Sequence, residues 1–229
     1  MEFDVEAAAL ADRMAAMDID DRMAAACRGS ANPAALAWLA EELSIAPTTK
    51  VGDLGAGLGG PAAWLQRRWG CSIVAVEPAQ GAVMGAQRLF DLVVVQAAAH
   101  HLPFADAAFD IGLLLGVVSV VDDLGAVLCE SARVANRLGV LDYCSTSSAT
   151  VAAGGSTFRT PEGLAAAFRA DGWVVDQIVS IDVPTPTPWG RAADAAQGGV
   201  DVPPSERAVA AAIESGRLGP QMVTARRRR

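Results

Sequence analysis

The spacing of hydrophobic positions changes near residue 50. Before that point, apolar side chains recur among alanines and acids at Phe3, Leu10, Met14, Met17 and Met23. This pattern predicts one or two amphipathic helices with a break near residues 18–21. Asn32 and Pro33 then provide an N-cap and a first-turn proline for a helix that runs to Leu43. No strand is expected in this first part.

From residue 50 onward, short apolar runs alternate with alanine-rich or amphipathic segments. Strands are expected at 50–54, 72–76, 92–96, 110–116, 138–144 and 173–181, with a short strand near 220–225. Helices are expected at 60–69, 79–89, 123–135, 161–170 and 205–216. Strands that alternate with helices predict βαβ units, and hence an α/β fold whose parallel sheet is covered on both faces. The proline- and glycine-rich stretch 183–204 is expected to be irregular.

Composition limits the class of protein. The chain has 229 residues, of which 52% are hydrophobic, enough for the core of one sizeable domain. Its net charge of −8 disfavours binding to nucleic acid. Four cysteines without metal-site or disulfide-framework spacing, and the lack of a signal peptide or apolar membrane span, favour a cytoplasmic protein.

Residues 51–60, VGDLGAGLGG, combine an acid with a glycine-rich turn between a predicted strand and a predicted helix. Glycines at such a turn let a ligand approach bare backbone N–H groups. Two motifs fit: Gly55, Gly57 and Gly60 match the dinucleotide pattern G-x-G-x-x-G, and residues 53–59 match D-x-G-x-G-x-G. Either match alone is weak.

Asp53, at the end of its strand, favours the second motif, because an acid there can pair with a cationic ligand group. Glu77 ends the next strand, CSIVAVEP, where it can accept from ribose hydroxyls in either kind of site. The stretch 96–123 has no counterpart in the dinucleotide pattern.

With DLGAGLGG and VAVEP, that stretch resembles the small-molecule class I S-adenosylmethionine (SAM) methyltransferases. The family's LPF-x-x-x-x-FD signature is present from Leu102 to Asp110, and GVVSVVDD and ESARVANRLGVLDYC resemble the segments that follow. The resemblance covers residues 50–182. It implies a Rossmann-like, doubly wound, mostly parallel seven-stranded sheet at 46–229, with an N-terminal helical cap at 1–45.

The same resemblance implies SAM as cofactor, with S-adenosylhomocysteine (SAH) as product. The implied cofactor-binding residues are Asp53, Gly55, Ala56, Gly57, Gly59, Glu77, Pro78, Ala98, Ala99, His100, Leu115, Gly116 and Val117. Ala98 stands where the family usually has an acid for the adenine amino group. The usual R-P-G-G turn is replaced by residues 136–139, a change expected to affect only a loop.

Few side chains suggest catalysis. Tyr143, at the end of the fifth strand, and His101 are the candidate catalytic residues, and Ser119, Tyr143 and Trp189 are candidates for contact with the substrate. Each also has an ordinary reading as a packing, positioning or surface residue. No metal site is expected, because methyl transfer from a sulfonium needs mainly alignment of the acceptor and exclusion of water.

We therefore expect a SAM-dependent methyltransferase that acts on a small, largely apolar acceptor, with a role in natural-product biosynthesis, as a monomer or homodimer. One alternative keeps the fold and the bound nucleoside but acts as a cyclase or another non-methylating enzyme. An NAD-dependent oxidoreductase is a third interpretation, for which a second set of βαβ units and a proton donor are lacking.

Overall fold

The computed structural model describes residues 2–27, 31–180 and 204–228, and it describes side chains from residue 6 onward. Three helices precede the first strand: α1 (Glu2–Met14), α2 (Ile19–Ala25) and α3 (Pro33–Glu42). The carboxylate of Asp18 caps α2 by accepting from two backbone N–H groups, and the amide oxygen of Asn32 caps α3 in the same way. The predicted start at Asn32 is therefore confirmed. The break between α1 and α2 lies at residues 15–18, slightly earlier than the predicted 18–21, because Asp18 caps α2 and residues 19–21 already belong to that helix.

The rest of the chain alternates as the pattern predicts. Its elements are β1 (Lys50–Leu54), α4 (Gly60–Trp69), β2 (Ser72–Glu77), α5 (Gln80–Phe90), β3 (Val93–Gln96), β4 (Phe109–Leu115), α6 (Leu124–Val134), β5 (Ala135–Ser145), β6 (Val151–Ala153), β7 (Ser156–Phe158), α7 (Pro161–Ala170), β8 (Trp173–Ser180), α8 (Pro204–Glu214) and β9 (Leu218–Arg227).

Seven of these strands form one sheet in the order β3-β2-β1-β4-β5-β9-β8. Neighbours from β3 to β5 are parallel, whereas β9 runs antiparallel to both β5 and β8. The predicted α/β class and the mostly parallel seven-stranded sheet are thus confirmed. Because β1, β2 and β4 are parallel neighbours, their carboxyl ends lie side by side at one edge of the sheet.

Both faces of the sheet are covered by helices. One apolar cluster joins α3 and α4 to side chains such as Val51 and Leu113, and the other joins α6 and α7 to side chains such as Leu114 and Val140. Adjacent residues of β4 and β5 therefore alternate between two cores, as expected for a strand buried on both faces.

The start of β5 differs from the expectation. Residues 136–139 belong to the strand, which begins at Ala135 directly after α6, rather than to a loop. They lack a proline, so their N–H groups are free to pair with β4 and β9. Arg137 also donates to the carbonyls of Leu43 (2.8 Å) and Glu42 (2.9 Å), which fixes the end of α3 against this strand.

A second difference is the antiparallel hairpin of β6 and β7, which the hydrophobic pattern did not predict. Its two turn residues, Gly154 and Gly155, have φ values of +58° and +81°. Two successive positive φ angles are the mark of a type I′ hairpin turn, for which Gly-Gly is a favourable pair. The strands were missed because each has three residues, too few for a clear period.

The N-terminal helices pack on the helices that flank the glycine turn. Helix α1 lies against α5, and its cluster includes Leu58 from the turn itself. A Cβ on Gly60 would meet the carbonyl oxygen of Met23 at 2.5 Å, so α2 packs directly on the first residue of α4. In the described ranges no helix has the length and apolarity needed to cross a membrane. The stretch 183–204, apart from its last residue, lies outside the described residues, as does Trp189.

Candidate cofactor and acceptor site

The glycine turn after β1 lies beside the end of β2. The N–H groups of Gly55 and Ala56 both donate to the carbonyl of Val76, at 2.8 and 2.9 Å. Gly55, Gly57 and Gly59 have φ values of +97°, +54° and +79°, in the region that favours glycine. A Cβ on Gly57 would have no heavy atom within 4 Å, so this backbone faces open space. The turn therefore presents accessible main chain next to two strand ends.

The segment after β4 completes this edge of the sheet. Leu115 and Val117 are buried, and the N–H of Gly116 donates to the carbonyl of Leu141 at 2.7 Å. A Cβ on Gly55 would lie 2.6 Å from a methyl group of Val117. The structure thus brings residues 53–59 and 115–117 together, although about 60 residues separate them in the chain.

Asp53 is the most unusual polar group at this edge. Its side chain is fully buried, and neither carboxylate oxygen has a hydrogen-bond partner among the described residues. Burial, and secondarily the charge of Glu77, raise the pKa of Asp53 to about 7. A buried carboxylate without a partner is costly, so this position is suited to a cationic ligand group.

Glu77, in contrast, is held by the backbone. Its Oε2 accepts from the N–H of Gly57 at 2.9 Å, and its Oε1 accepts from the N–H of Ala79 at 3.0 Å. The carboxylate therefore ties the end of β2 to the glycine turn. Pro78, which follows Glu77, is exposed.

Cys27, which is distant in the sequence, lies near Asp53. It follows α2, is buried, and lies near enough to Asp53 for that charge to raise the pKa of its thiol, although burial is the larger cause. Cys27 could not be selected from the sequence, because nothing in its local pattern shows which segment packs over β1.

The segment after β3 starts beside Glu77. The N–H of Ala97 donates to the Glu77 carbonyl at 3.3 Å, and Ala98 forms a short antiparallel bridge with His101. Ala99 is buried, whereas His100 and His101 are exposed. The backbone near Ala98 thus lies close to the end of β2, while both imidazoles face outward.

An ion pair on α6 holds this segment in place. Arg133 bonds to Glu130 with two nitrogens, at 2.6 and 2.8 Å, and donates to the carbonyls of Leu102 (3.0 Å) and Phe104 (2.7 Å). Glu130 also accepts from the N–H of Leu102 at 2.8 Å. The hydrogen bond from Arg133 is the largest cause that lowers the pKa of Glu130 to about 2. The i, i+3 spacing was visible in the sequence, but its backbone partners were not.

A second buried acid, Asp142, lies near the end of β5. It accepts from the N–H of Ser119 (3.0 Å), the hydroxyl of Ser119 (2.8 Å) and the N–H of Tyr143 (2.7 Å). Burial raises its pKa to about 6 despite these donors. Asp142 therefore fixes the turn after β4 to β5.

The predicted acceptor residues Ser119 and Tyr143 line the same crevice. Its walls are Val118, Ser119, Tyr143, Cys144, Thr157, Arg159 and Leu164. Tyr143 is half-buried against a cluster formed by the hairpin and α8, and burial raises the pKa of its phenol. Arg159 directly follows the unpredicted hairpin, and it donates to the carbonyl of Val118 at 3.3 Å.

The structure therefore separates the two predicted catalytic residues. Tyr143 lines the crevice near the end of β5. His101 lies in the exposed segment after β3, near Glu130, and the charge of His101 is the smallest of the causes that lower the pKa of Glu130. Across the described ranges, no group of three or more His, Cys, Asp or Glu side chains is placed to hold a metal ion.

Comparison with known proteins agrees with this geometry. Residues 52–141 match the family described as a methyltransferase domain. That range contains the glycine turn, the ends of β1, β2 and β4, and the ion pair on α6. The resemblance to class I SAM-dependent methyltransferases is thereby confirmed over these residues.

Individual relatives add detail. The methyltransferase GfsG of Streptomyces halstedii is 32% identical over 114 residues, a match that covers 45% of this chain and 41% of that protein. The [4+2]-cyclase SpnF has a TM-score of 0.70 at 21% identity, covering 84% of this chain and 80% of that one. Geranyl diphosphate C-methyltransferase from Streptomyces coelicolor A3(2) has a TM-score of 0.66 at 18% identity, covering 85% and 78%. The two solved structures are similar in fold.

Proposed function

We propose that this protein is a SAM-dependent methyltransferase that acts on a small, largely apolar acceptor. The observation that carries the proposal is the Asp53 carboxylate, buried without a partner beside the open backbone of Gly57, within a methyltransferase domain. A pair of acids at neighbouring strand ends is suited to a ligand that carries positive charge and ribose hydroxyls.

The residue types at this edge of the sheet suit the chemical groups of SAM. Asp53 would hold the cationic amino-acid end, the turn 55–59 would contact the nucleoside, and Glu77 would accept from the ribose. Ala98, Ala99 and His100 would lie beside the adenine, with Pro78 on its exposed side and residues 115–117 on the other. SAM supplies a methyl group that its sulfonium already activates, so the protein's own task is to align the acceptor and exclude water.

The acceptor would lie beyond Val117, over the ends of β4 and β5. Apolar side chains from the hairpin and α8, including Phe158 and Ile213, pack near Tyr143 and make this region largely hydrophobic. Ser119 and Tyr143 would orient the acceptor, and Trp189 remains a proposed contact. We place residues 1–45 as a cap on the catalytic domain at 46–229. The protein would act in the cytoplasm, as a monomer or homodimer, in natural-product biosynthesis.

Isothermal titration calorimetry with SAM and with SAH tests the cofactor assignment. We expect binding to the purified protein and its loss in Asp53→Ala and Glu77→Ala. Arg88→Ala is a matched control, because this side chain pairs with exposed Asp12 on the surface. Failure of both nucleosides to bind would refute the proposal. Methyl transfer would then be assayed as a gain of one methyl mass in candidate apolar acceptors.

A second candidate function is a non-methylating reaction, such as cyclisation, on the same fold. It is favoured by the fold similarity to the [4+2]-cyclase SpnF and by Ala98, which leaves the adenine side without a carboxylate. A product whose mass equals that of its substrate, formed while SAM is not consumed, would support this candidate over methyl transfer.

A further inference from the structure

Three buried side chains lie near one another at this edge of the sheet: Asp53 on β1, Glu77 on β2 and Cys27 after α2. Together they form the compartment of Asp53. Asp53 is 0% exposed, and both of its oxygens lack a hydrogen-bond partner among the described residues. An ionised carboxylate in such surroundings costs several kcal/mol, and the neutral acid costs less. The surroundings therefore favour the protonated form until a cation enters.

The charged and titratable groups near Asp53 do not stabilise its ionised form. Glu77 is negative, and the Cys27 thiol has no charge to offer. The β4 residue paired with Asp53 is the apolar Leu113. Helix α4 carries its basic side chains, Arg67 and Arg68, in its last turn, far from the glycine turn. In the described part of the chain no side-chain cation offsets the Asp53 charge.

The wall of this compartment comes from the N-terminal helices. Cys27 is 7% exposed, and the preceding segment packs so closely on α4 that a Cβ at Gly60 would lie 2.5 Å from the Met23 oxygen and 2.7 Å from the carbonyl carbon of Ala26. Water is thus kept from Asp53 by residues that lie about 26 positions earlier in the chain.

We infer that Asp53 releases up to one proton to solvent when it binds the ammonium group of SAM or SAH, the group that the proposed function assigns to this carboxylate. The inference rests on the proposed function. The ammonium arrives already protonated, so no bond to the cofactor forms or breaks; the proton leaves the Asp53 carboxyl for the buffer. Cys27 acts as a positioning residue, which keeps the carboxyl dry. Burial raises the pKa of Asp53 to about 7, which agrees with this exchange.

Calorimetry of SAH binding in phosphate and in Tris buffers measures the exchange, because their ionisation enthalpies differ. At pH 7 we expect release of about half a proton per SAH bound, and at pH 8.5 almost none. The dissociation constant should rise by up to about tenfold for each pH unit below 7 and be flat above 8. Asp53→Asn should abolish the release or, if binding becomes too weak to measure, leave the wild-type pH profile as the deciding result.

Cys27→Ala tests the wall. The smaller side chain leaves room for water beside Asp53, which stabilises the ionised carboxylate. Proton release at pH 7 should therefore fall, and the pH midpoint of binding should move down. Cys129→Ala, on the exposed side of α6, is the matched control and should leave both unchanged. An unaltered profile in Cys27→Ala would remove Cys27 from the compartment.

The outcomes separate the inference from the proposed function. SAH binding with equal enthalpy in the two buffers and no dependence on pH would overturn the proton release while supporting the cofactor assignment. Absence of SAM and SAH binding at every pH would instead overturn the proposed function itself.

Discussion

Asp53 and Asp142 are the same residue type, buried to a similar degree near the carboxyl ends of two strands of one sheet. Asp142 accepts from the N–H and the hydroxyl of Ser119 and from the N–H of Tyr143, all within 3.0 Å. Asp53 accepts from none within the described residues. Burial is similar for the acid that holds β5 to the preceding turn and for the acid that we propose binds a ligand, whereas their sets of hydrogen-bond donors differ.

The largest effect expected is on cofactor binding. Asp53→Asn removes the charge that would face the cofactor's ammonium, and we expect SAH affinity at pH 8 to fall by about 100-fold. The same change should raise the free energy of unfolding, by about 2–4 kcal/mol at pH 8, because an unpartnered buried charge is lost. Calorimetry and urea denaturation measure the two effects. Weaker binding together with lower stability would contradict this interpretation.

The matching change at β5 should have the opposite effect on stability. In Asp142→Asn, one oxygen becomes an NH₂ group that faces N–H donors, and we expect a loss of about 2 kcal/mol in unfolding free energy. SAH affinity should change by less than about threefold, because Asp142 makes no direct contact with the cofactor in our proposal. If Asp142→Asn were as stable as wild type, the two acids would not differ in the way described.

The pH dependence of stability sharpens the comparison. The pKa of Asp53 is raised from 3.8 in the unfolded chain to about 7 in the folded protein. Its contribution is therefore fully present below pH 3.8 and is lost as pH rises toward 7. Between pH 5.5 and 8, wild type should lose about 2 kcal/mol relative to Asp53→Asn, in which this titration is absent. Asp142 titrates in both proteins, so its contribution to the stability difference cancels. Parallel urea curves at the two pH values would refute the assignment.

A smaller effect is expected in the segment between β3 and β4. Arg133→Met removes the hydrogen bonds that fix residues 102–104 to α6, and amide hydrogen exchange of Leu102 should accelerate by roughly tenfold. SAH affinity should fall only a few-fold, since this segment would contact the adenine side alone. Arg88→Met, at the exposed pair with Asp12, serves as control and should change neither measurement. Equal exchange in both variants would show that the ion pair does not hold the segment.

Local spacing predicted those parts of the fold and site that depend on neighbouring residues. Asp53 and the glycines after it could be selected because a strand followed by a glycine turn places them within a few residues of one another. Glu77 could be selected because it ends the next strand of the βαβ pattern. Cys27 and Arg159 could not, because each reaches its neighbours through the packing of a distant segment. His101 was selected for its chemistry, but its exposure depends on how residues 97–101 fold back beside β2. Strand β5 began earlier than expected, because hydrogen bonding to two neighbours outweighed its weak apolar start at residues 135–137.

The position of β9 has a consequence for how the chain folds. This last of the seven sheet strands lies between β5 and β8, so it enters the interior of a sheet whose other strands come earlier in the sequence. Until β9 inserts, one edge of the largely buried strand β5 is unpaired, and β8 lacks the strand that joins it to the sheet. Because β9 contacts segments that are remote in the sequence, we expect its insertion to be a late and slow step, before which the unpaired edge of β5 favours self-association.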